Sequence, residues 1–423
     1  MEKLLRTIEK ITPRKVYRLF QPVYHFLLAG ISTARYLQPS RYIYVIGVTG
    51  TKGKSSTAEF VNAVLEASNK KTALLSTIRL KIGNESAPNR YKMTMPGRFI
   101  IQKFLHDAVK ATCEYAVLEM TSEGARFYRH LGIQLDALIF TNLSPEHIES
   151  HGSFEKYKQA KLRLVKHLAK SSKPHRISIA NIDGKHGYSF LIHTVDKNIS
   201  YSIKNVKILS ETKNDTIISY KDTNITVPLP GKFNVANALA AIKLGEELAI
   251  PIDTIKKGIE SLARIRGRVE KIDCGQDFTV IVDYAHTDDS LRKLYEVFSS
   301  TKKIAVLGAC GGGRDAWKRP VLGKIADEMC DEIIVTNEDP YDEDPMKIIN
   351  EVSSGVTSHT PIKILNRRDA IYHALTLASP GDVVLITGKG TDPYIMGPNN
   401  TKEAWDDAQV AREELQKLQN SKS

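Results

Sequence analysis

The chain has 423 residues, 42% of them hydrophobic and 26% charged, a globular balance with length for two or three domains that excludes disorder and small disulfide scaffolds. Lys and Arg number 60 against 48 Asp and Glu, a formal charge of +12. That points to an anionic partner without choosing among nucleic acid, membrane and phosphorylated metabolite. Half of the surplus sits in residues 1–43, which hold eight Lys and Arg and two Glu. No apolar run reaches the ~18 residues of a spanning helix, since the best stretch, Val23 to Ile31, contains His25 and Gly30. The N-terminus lacks a secretory signal pattern. Cys113, Cys274, Cys310 and Cys330 are too widely spaced for a CxxC metal or redox motif, so a reducing, cytoplasmic setting is expected.

Leu4, Leu5, Ile8 and Ile11 fall at helical spacing and predict a short amphipathic helix that ends at Pro13. Tyr42 to Val48 reads as a strand, a Gly-rich turn follows, and Ser55 to Glu66 resumes helical spacing. Strands are expected at Tyr115–Glu119, Ala137–Thr141 and Ile177–Ala180, with helices over Gly97–Ala111 and Phe154–His167. Such alternation predicts a helix-covered parallel sheet. From Ile192 to Val227 the texture turns to short polar-alternating strands that suggest an antiparallel insert, and Asn234–Leu248 returns to helix. A domain junction is placed in Ala263–Val269, after which strands at Thr279–Asp283, Lys303–Gly308, Glu332–Thr336 and Asp382–Thr387 predict a second α/β domain. The expected division is a basic segment 1–42, a central domain 43–265 and a C-terminal domain 266–423.

Gly47 to Thr57 reads GVTGTKGKSST between a strand and a helix, the context in which backbone N–H groups cradle phosphates. Gly50, Thr51, Gly53 and Ser56 would line the cradle. Lys54 would reach the β- and γ-phosphates, and the Ser55 hydroxyl would ligate magnesium. ATP or a relative is the expected ligand.

The form GxxGTxGKS resembles the Mur ligase family rather than kinases or GTPases. Further motifs follow in the family's order: Leu118-Glu119-Met120-Thr121-Ser122, Thr141-Asn142 through His151-Gly152, Tyr157 to Lys161, Gly231 to Asn237, Arg266-Gly267-Arg268, and Val282-Asp283-Tyr284-Ala285-His286. The similarity spans roughly residues 43–415 and is nearest to the tripeptide synthetases. It implies an α/β fold with a P-loop central domain around a parallel sheet and a smaller Rossmann-like C-terminal domain. It also implies ligation of an amine to a carboxylate that ATP has phosphorylated, with magnesium required.

The resemblance assigns roles residue by residue. Glu119 shares a first magnesium with Ser55; His147 ligates a second; Asn142 belongs to the same nucleotide site. Lys161 matches the lysine that reacts with carbon dioxide to become a carbamate, an anion where an ammonium would repel the metal. Asn234 and Asn237, three apart on one helical face, would contact adenine; Arg268 would meet phosphate and Asp283 the ribose. Thr94 and Pro96 match an acceptor-contacting loop in which the second threonine has become Met95. His286, Arg314, Lys318, Asp339, Tyr341, Gly390 and Asp392 fall in substrate motifs.

Two departures stand out. Relatives place a nucleotide-sugar domain of roughly a hundred residues before the phosphate strand, where this sequence has about 43. The D-N-P-R motif, whose arginine grips a distal carboxylate, reads Glu338-Asp339-Pro340-Tyr341. With Asp342, Glu343 and Asp344, these acids would suit a cationic side chain such as lysine. The leading expectation is an amino-acid ligase of the cell-wall precursor pathway, monomeric, acting on small molecules. A ligase of the same fold with a folate or polyglutamate acceptor is the rival. A basic nucleic-acid-binding ATPase is a third reading, drawing on the aromatics and bases of Arg14–Tyr42, although no nucleic acid partner is expected. Weak contact of residues 1–42 with a membrane surface is also entertained.

Overall fold

The computed structural model describes residues 14–146, 148–313 and 315–422. His147, Arg314 and the helix expected over Leu4–Ile11 lie outside the described residues. The chain divides into two compact units, Met1–Glu146 with Ser153–Ser202 and Leu239–Pro251, and His147–Gly152 with Ile203–Ala238 and Ile252–Ser423.

The first unit opens with helix α1 (Arg14–Arg35) and then strand β1 (Tyr44–Thr49). Helix α2 (Lys54–Ala67), strands β2 (Thr72–Leu75), β3 (Arg79–Ile82) and β4 (Glu85–Pro88), and helix α3 (Arg98–Lys110) follow. Next come β5 (Tyr115–Glu119), α4 (Ser122–Arg126) and β6 (Ala137–Phe140). After a short helix α5 (Ile148–His151), assigned to the second unit, the first continues with α6 (Phe154–Ala169), β7 (Ile177–Asn181) and β8 (Lys197–Tyr201). Its eight strands form one sheet in the order β4-β3-β2-β5-β1-β6-β7-β8. Strand β1 is central, parallel to β5 on one side and β6 on the other. Val45, Ile46 and Val48 are wholly buried, as expected of a strand covered on both faces.

The second unit holds the antiparallel sheet of β9 (Lys207–Glu211), β10 (Thr216–Tyr220) and β11 (Thr223–Val227). Helix α7 (Lys232–Glu247) begins there, and α8 (Ile252–Glu260) follows. Beyond them lie β12 (Glu270–Ile272), β13 (Thr279–Asp283), α9 (Asp288–Val297), β14 (Lys303–Leu307), α10 (Lys318–Met329) and β15 (Glu332–Thr336). The chain ends with α11 (Pro345–Ser353), β16 (Ile362–Ile364), α12 (Arg367–Leu377), β17 (Val383–Thr387), the hairpin β18 (Tyr394–Met396) and β19 (Lys402–Ala404), and α13 (Asp407–Lys422). The order β12-β13-β17-β14-β15-β16 is parallel except for β12. Its two faces are covered by separate clusters, one around Leu291, Tyr295, Ile325 and Ile348, the other around Ile371, Leu375, Ala411 and Leu415.

The structure corrects one expectation. Of the segment expected to be an antiparallel insert, only β9–β11 is one; β8 pairs parallel with β7 and extends the large sheet. Its polar residues reflect an edge position, where one flank meets water, and not antiparallel pairing. In addition, α1 runs for 22 residues directly after Pro13. A proline costs little ahead of a helix because the first turn needs no intrahelical N–H donors.

Candidate active site

The carboxyl ends of β1, β5 and β6 bring together the phosphate loop, Glu119 and Thr141–Asn142, the edge at which open α/β sheets bind ligands. Gly50 has φ +152°, and a Cβ on it would lie 1.9 Å from the Thr141 hydroxyl oxygen. Gly53, at φ 78°, is the N-cap of α2 and has no side chain to close the helix end. Helices α4 and α6, in contrast, open with Thr121 accepting from Gly124 N and Ser153 accepting from Lys156 N. The first turn of α2 is therefore shaped for an anionic ligand rather than for a protein cap.

The loop is tied to the β6 end. Asn142 Oδ1 accepts from Lys52 N at 2.9 Å and its Nδ2 donates to Lys52 O at 3.1 Å. Thr51 N donates to Asn142 O at 2.9 Å. Thr51 Oγ1 sits 2.9 Å from the Tyr157 hydroxyl, and Lys52 Nζ pairs with Glu146 at 2.9 Å. Asn142 thus shapes the loop through Lys52. Lys54 Nζ folds onto Thr51 O at 2.9 Å, over the loop it is expected to serve, and Ser56 is buried in the first turn of α2.

Buried Glu119 accepts from Ser55 Oγ at 3.0 Å, Thr77 N at 2.7 Å and Thr77 Oγ1 at 2.9 Å, all through Oε2. Thr77 Oγ1 in turn lies 2.8 Å from Thr94 Oγ1. One hydroxyl–carboxylate chain thereby links the phosphate loop to the Thr94–Pro96 loop, and its hard oxygen donors fit magnesium. Among the described residues no three His, Cys, Asp or Glu side chains gather as a metal cluster. Magnesium characteristically takes one or two protein carboxylates and completes its shell with water and phosphate.

Lys161, on α6, is 2% exposed, and its Nζ donates to Gly50 O at 2.6 Å and stands 4.9 Å from the Tyr157 ring centre. Burial, and then the charge of Lys54, push this amine well below the ordinary lysine value. A neutral amine is the form that attacks carbon dioxide.

Sequence reasoning missed Thr77, whose signal was a hydroxyl pair, Ser76-Thr77, directly after β2. It also passed over Arg98 and Arg129 beside the Thr94–Pro96 loop. Arg98 donates to Phe127 O, and Arg129 donates to Met95 O. Neither has an ion-pair partner among the described residues. Burial lowers both, Arg98 to about 10.

In the second unit Asn234 and Asn237 share a face of α7, with Asn237 Nδ2 donating to Asn234 Oδ1 at 3.3 Å. Asp283 accepts from Val269 N and Ala285 N, each at 2.7 Å, and burial raises its carboxyl. Arg268 lies 4.7 Å from the Tyr284 ring centre, and His286 Nδ1 is 2.7 Å from Tyr284 O. Gly390, at φ 51°, brings the chain against Tyr284, where a Cβ would sit 3.0 Å away.

The acidic motif differs from its expected use. Asp339 accepts from Lys389 Nζ and Met396 N, both at 2.8 Å, and Asp392 pairs with Lys389 at 3.2 Å. Burial pulls the Lys389 ammonium down, but Asp392 and Asp339 outweigh it and hold Lys389 above its ordinary value. Glu343 pairs with Arg319, Asp344 caps α11 through Met346 N, and Asp342 accepts from Asn399 N. These carboxylates are engaged within the protein and do not form an open acidic patch. Glu338 is buried, accepts from Cys310 Sγ through Oε1, and has no partner on Oε2. Lys318 pairs with Asp315. Tyr341, at φ 53°, donates its N–H to Met396 O at 3.0 Å.

The phosphate loop at the carboxyl edge of a central parallel strand, with a serine hydroxyl against a strand-end carboxylate, defines a nucleotide-using enzyme of the P-loop class. Residues 48–245 match the Mur ligase middle domain, and residues 267–390 match the Mur ligase, glutamate ligase domain. The chain is 36% identical over 398 residues to a UDP-N-acetylmuramoyl-L-alanyl-D-glutamate--2,6-diaminopimelate ligase of Bacillus velezensis, covering 91% of this chain and 80% of that one. It is 35% identical to a UDP-N-acetylmuramyl-tripeptide synthetase of Roseiflexus sp., covering 92% and 82%. A solved diaminopimelate ligase structure superposes with TM-score 0.60 at 26% identity, over 89% of this chain and 79% of that one. A Mycobacterium tuberculosis folylpolyglutamate synthase shares the fold alone, with TM-score 0.67 at 16% identity over 88% and 96% of the two chains. The chain belongs to the Mur ligase family, ATP-dependent enzymes that form carbon–nitrogen bonds.

Proposed function

We propose that this protein adds an amino acid to the carboxylate of a muramoyl-peptide cell-wall precursor, with release of ADP and phosphate. The observation that carries the reading is the Ser55–Glu119–Thr77–Thr94 chain, which runs from the phosphate loop to the loop matched to acceptor binding.

Magnesium, when bound with ATP, neutralises the charge that keeps a carboxylate and a triphosphate apart. The protein's own residues do the rest. Gly50 and Gly53 admit the phosphates, Lys54 turns from Thr51 O to meet them, and Ser55 and Glu119 offer hard oxygens. His147 is assigned to a second magnesium by resemblance. Lys161, whose amine burial pushes toward its neutral form, combines with carbon dioxide as that amine forms the N–C bond and releases a proton; the resulting carbamate would be an anion beside the phosphate loop. Arg98 and Arg129 are suited to an anionic group of the acceptor. In the second unit Asn234, Asn237, Arg268 and Asp283 serve the nucleotide. His286, Arg314, Lys318, Tyr341 and Gly390 border the incoming substrates, while Asp339 and Asp392 act by fixing Lys389. Glu338, with one unpartnered oxygen, is the carboxylate that remains for the amino-acid substrate. We place the working form as a monomer in the cytoplasm, with small-molecule substrates and domains 43–265 and 266–423.

The test is incubation with ATP, magnesium, a panel of amino acids and either a muramoyl dipeptide precursor or a folate. A product heavier by one amino-acid residue on the muramoyl substrate, with equimolar phosphate, is expected. Glutamate addition to folate with no muramoyl product would overturn the reading.

A further inference from the structure

The described exposed large hydrophobics number fourteen, and five of them, Phe26, Leu27, Ile31, Leu37 and Tyr42, fall within seventeen residues on and just after α1. The inner side of the helix is accounted for. Ala29 and Ser32 are buried, the His25 ring meets Phe127 edge-on at 5.3 Å, and the Tyr36 ring lies 5.7 Å from His106 of α3. The outer side is not. Phe26, Leu27 and Ile31 are 62%, 57% and 58% exposed, with Gly30 and Ala34 exposed between and beyond them. At 100° per residue these five positions share one arc of the helix. In the sequence, Val16, Leu19, Phe20 and Val23 continue the same spacing. Leu37 and Tyr42, 76% and 72% exposed, extend the apolar surface past the helix end.

The charge along this stretch of the sequence has one sign. From Lys10 to Ala58 the sequence has no Asp or Glu, while Arg14, Lys15, Arg18, Arg35 and Arg41 bracket the apolar stretch. An apolar helical face bordered by arginine and lysine, with aromatics among them, is the pattern of a helix lying in the headgroup layer of an anionic bilayer. No described helix is long and apolar enough to cross a membrane, so the pattern is that of lying on the surface. A second copy docked face to face would bring together two copies of a stretch that holds five arginines and lysines from Arg14 to Arg41 and no acid. A nucleic acid would need several stacking rings interleaved with basic residues, whereas the described exposed arc carries one ring, Phe26, among Leu27, Gly30, Ile31 and Ala34.

We propose that the outward face of α1, centred on Phe26, Leu27 and Ile31, docks this protein onto the surface of an anionic lipid bilayer. His25 contacts Phe127, and Arg129, 5.9 Å from the Phe127 ring centre, donates to Met95 O, so Phe127 and Arg129 stand between the docked helix and the Thr94–Pro96 loop. The inference does not depend on which amino acid or acceptor the ligase uses.

The test is co-sedimentation of the full chain with vesicles of phosphatidylcholine alone and of phosphatidylcholine mixed with phosphatidylglycerol. Binding to the mixed vesicles only, weakened by salt, is expected. The triple variant Phe26→Glu, Leu27→Glu, Ile31→Glu should lower that affinity at least about tenfold while melting like the parent, because these side chains are already in water. Should the triple variant fail to fold, Phe26→Trp gives a second reading: its added emission should shift to the blue with mixed vesicles and stay unchanged with phosphatidylcholine alone. No binding to mixed vesicles, binding that the triple variant retains in full, or no shift at Trp overturns the proposal. So does a dimer in light scattering, or salt-dependent RNA binding, that the triple variant abolishes, since either gives the face to another occupant.

Discussion

Replacing Lys161 with alanine separates the two contributions of that side chain. Structurally it loses one hydrogen bond to Gly50 O, worth about 1 kcal/mol, and a buried aliphatic stem. The expected destabilisation is on the order of 2–4 kcal/mol, partly offset because no buried amine remains to be desolvated. Chemically the loss is larger if the side chain carries a carbamate: withdrawing an anion from a metal-supporting position costs ~3 kcal/mol, on the order of 10²-fold in turnover. The assay is ADP release with product mass, run with and without added formate or acetate. A short carboxylate should restore much of the alanine variant's activity by filling the space. It should do nothing for Lys161→Met, whose side chain occupies that space. Labelled bicarbonate should give a carbamate carbon resonance in the parent and none in either variant. Full activity of Lys161→Ala without added carboxylate, or equal rescue of Lys161→Met, would refute the reasoning.

The same lysine sets a stability window: its folded value lies well below 10.5, so between the two values the unfolded chain holds the extra proton. Stability should rise with pH through that window, and Lys161→Met should flatten the rise in denaturant titrations. Glu119→Gln keeps the shape but removes the charge that Ser55 and Thr77 address; magnesium titrations should show a raised requirement and turnover should fall ~10²-fold, and an unchanged magnesium dependence would count against its role. Asp407→Ala breaks a fully buried pair in which Arg367 donates at 2.8 and 2.7 Å, for an expected loss of about 3–5 kcal/mol by chemical denaturation. Asp327 resists ionisation through burial, but the N–H groups of Thr357, Ser358 and His359 outweigh this and hold its carboxyl well below the usual range. Its stabilising share is present above the unfolded carboxyl value and disappears as pH falls through the folded one, so Asp327→Asn should remove that acid limb from a stability-versus-pH curve.

The phosphate loop was legible in the sequence because its glycines answer a backbone demand. Gly50 and Gly53 stand where only a residue without Cβ fits or turns, and the helix after them has a plain apolar rhythm. Strands β1, β5, β6, β13, β14, β15 and β17 were legible because burial on both faces makes them continuous apolar runs. Strands β3 and β4 escaped notice because one is half polar and the other wholly exposed, so neither carries a burial pattern. The acidic motif misled for a different reason. Composition showed charges of one sign, whereas their partners, Lys389, Arg319 and backbone N–H groups of Met346, Met396 and Asn399, come from turns and helices distant in the sequence or hidden in the backbone. Lys161 and Lys389 make the same point together: both are buried lysines in motif context, and the neighbouring carboxylates, absent from the bonds of one and gripping the other, leave their amines shifted in opposite directions, Lys161 down and Lys389 up.

The bonds between Asn142 and Lys52 have a mechanical meaning. Peptide Lys52 is held at both its N–H and its C=O by one amide side chain, Ser144 N donates to Thr51 Oγ1 at 3.1 Å, and Lys52 Nζ is tethered to Glu146. The cradle and the strap of chain from Thr141 to Glu146 therefore move as one piece. A nucleotide meets a mould already set, with little ordering left to do. Whatever shifts Lys52 must carry Asn142, Ser144 and Glu146 with it, so the six residues from Thr141 to Glu146 share the rigidity of the phosphate loop.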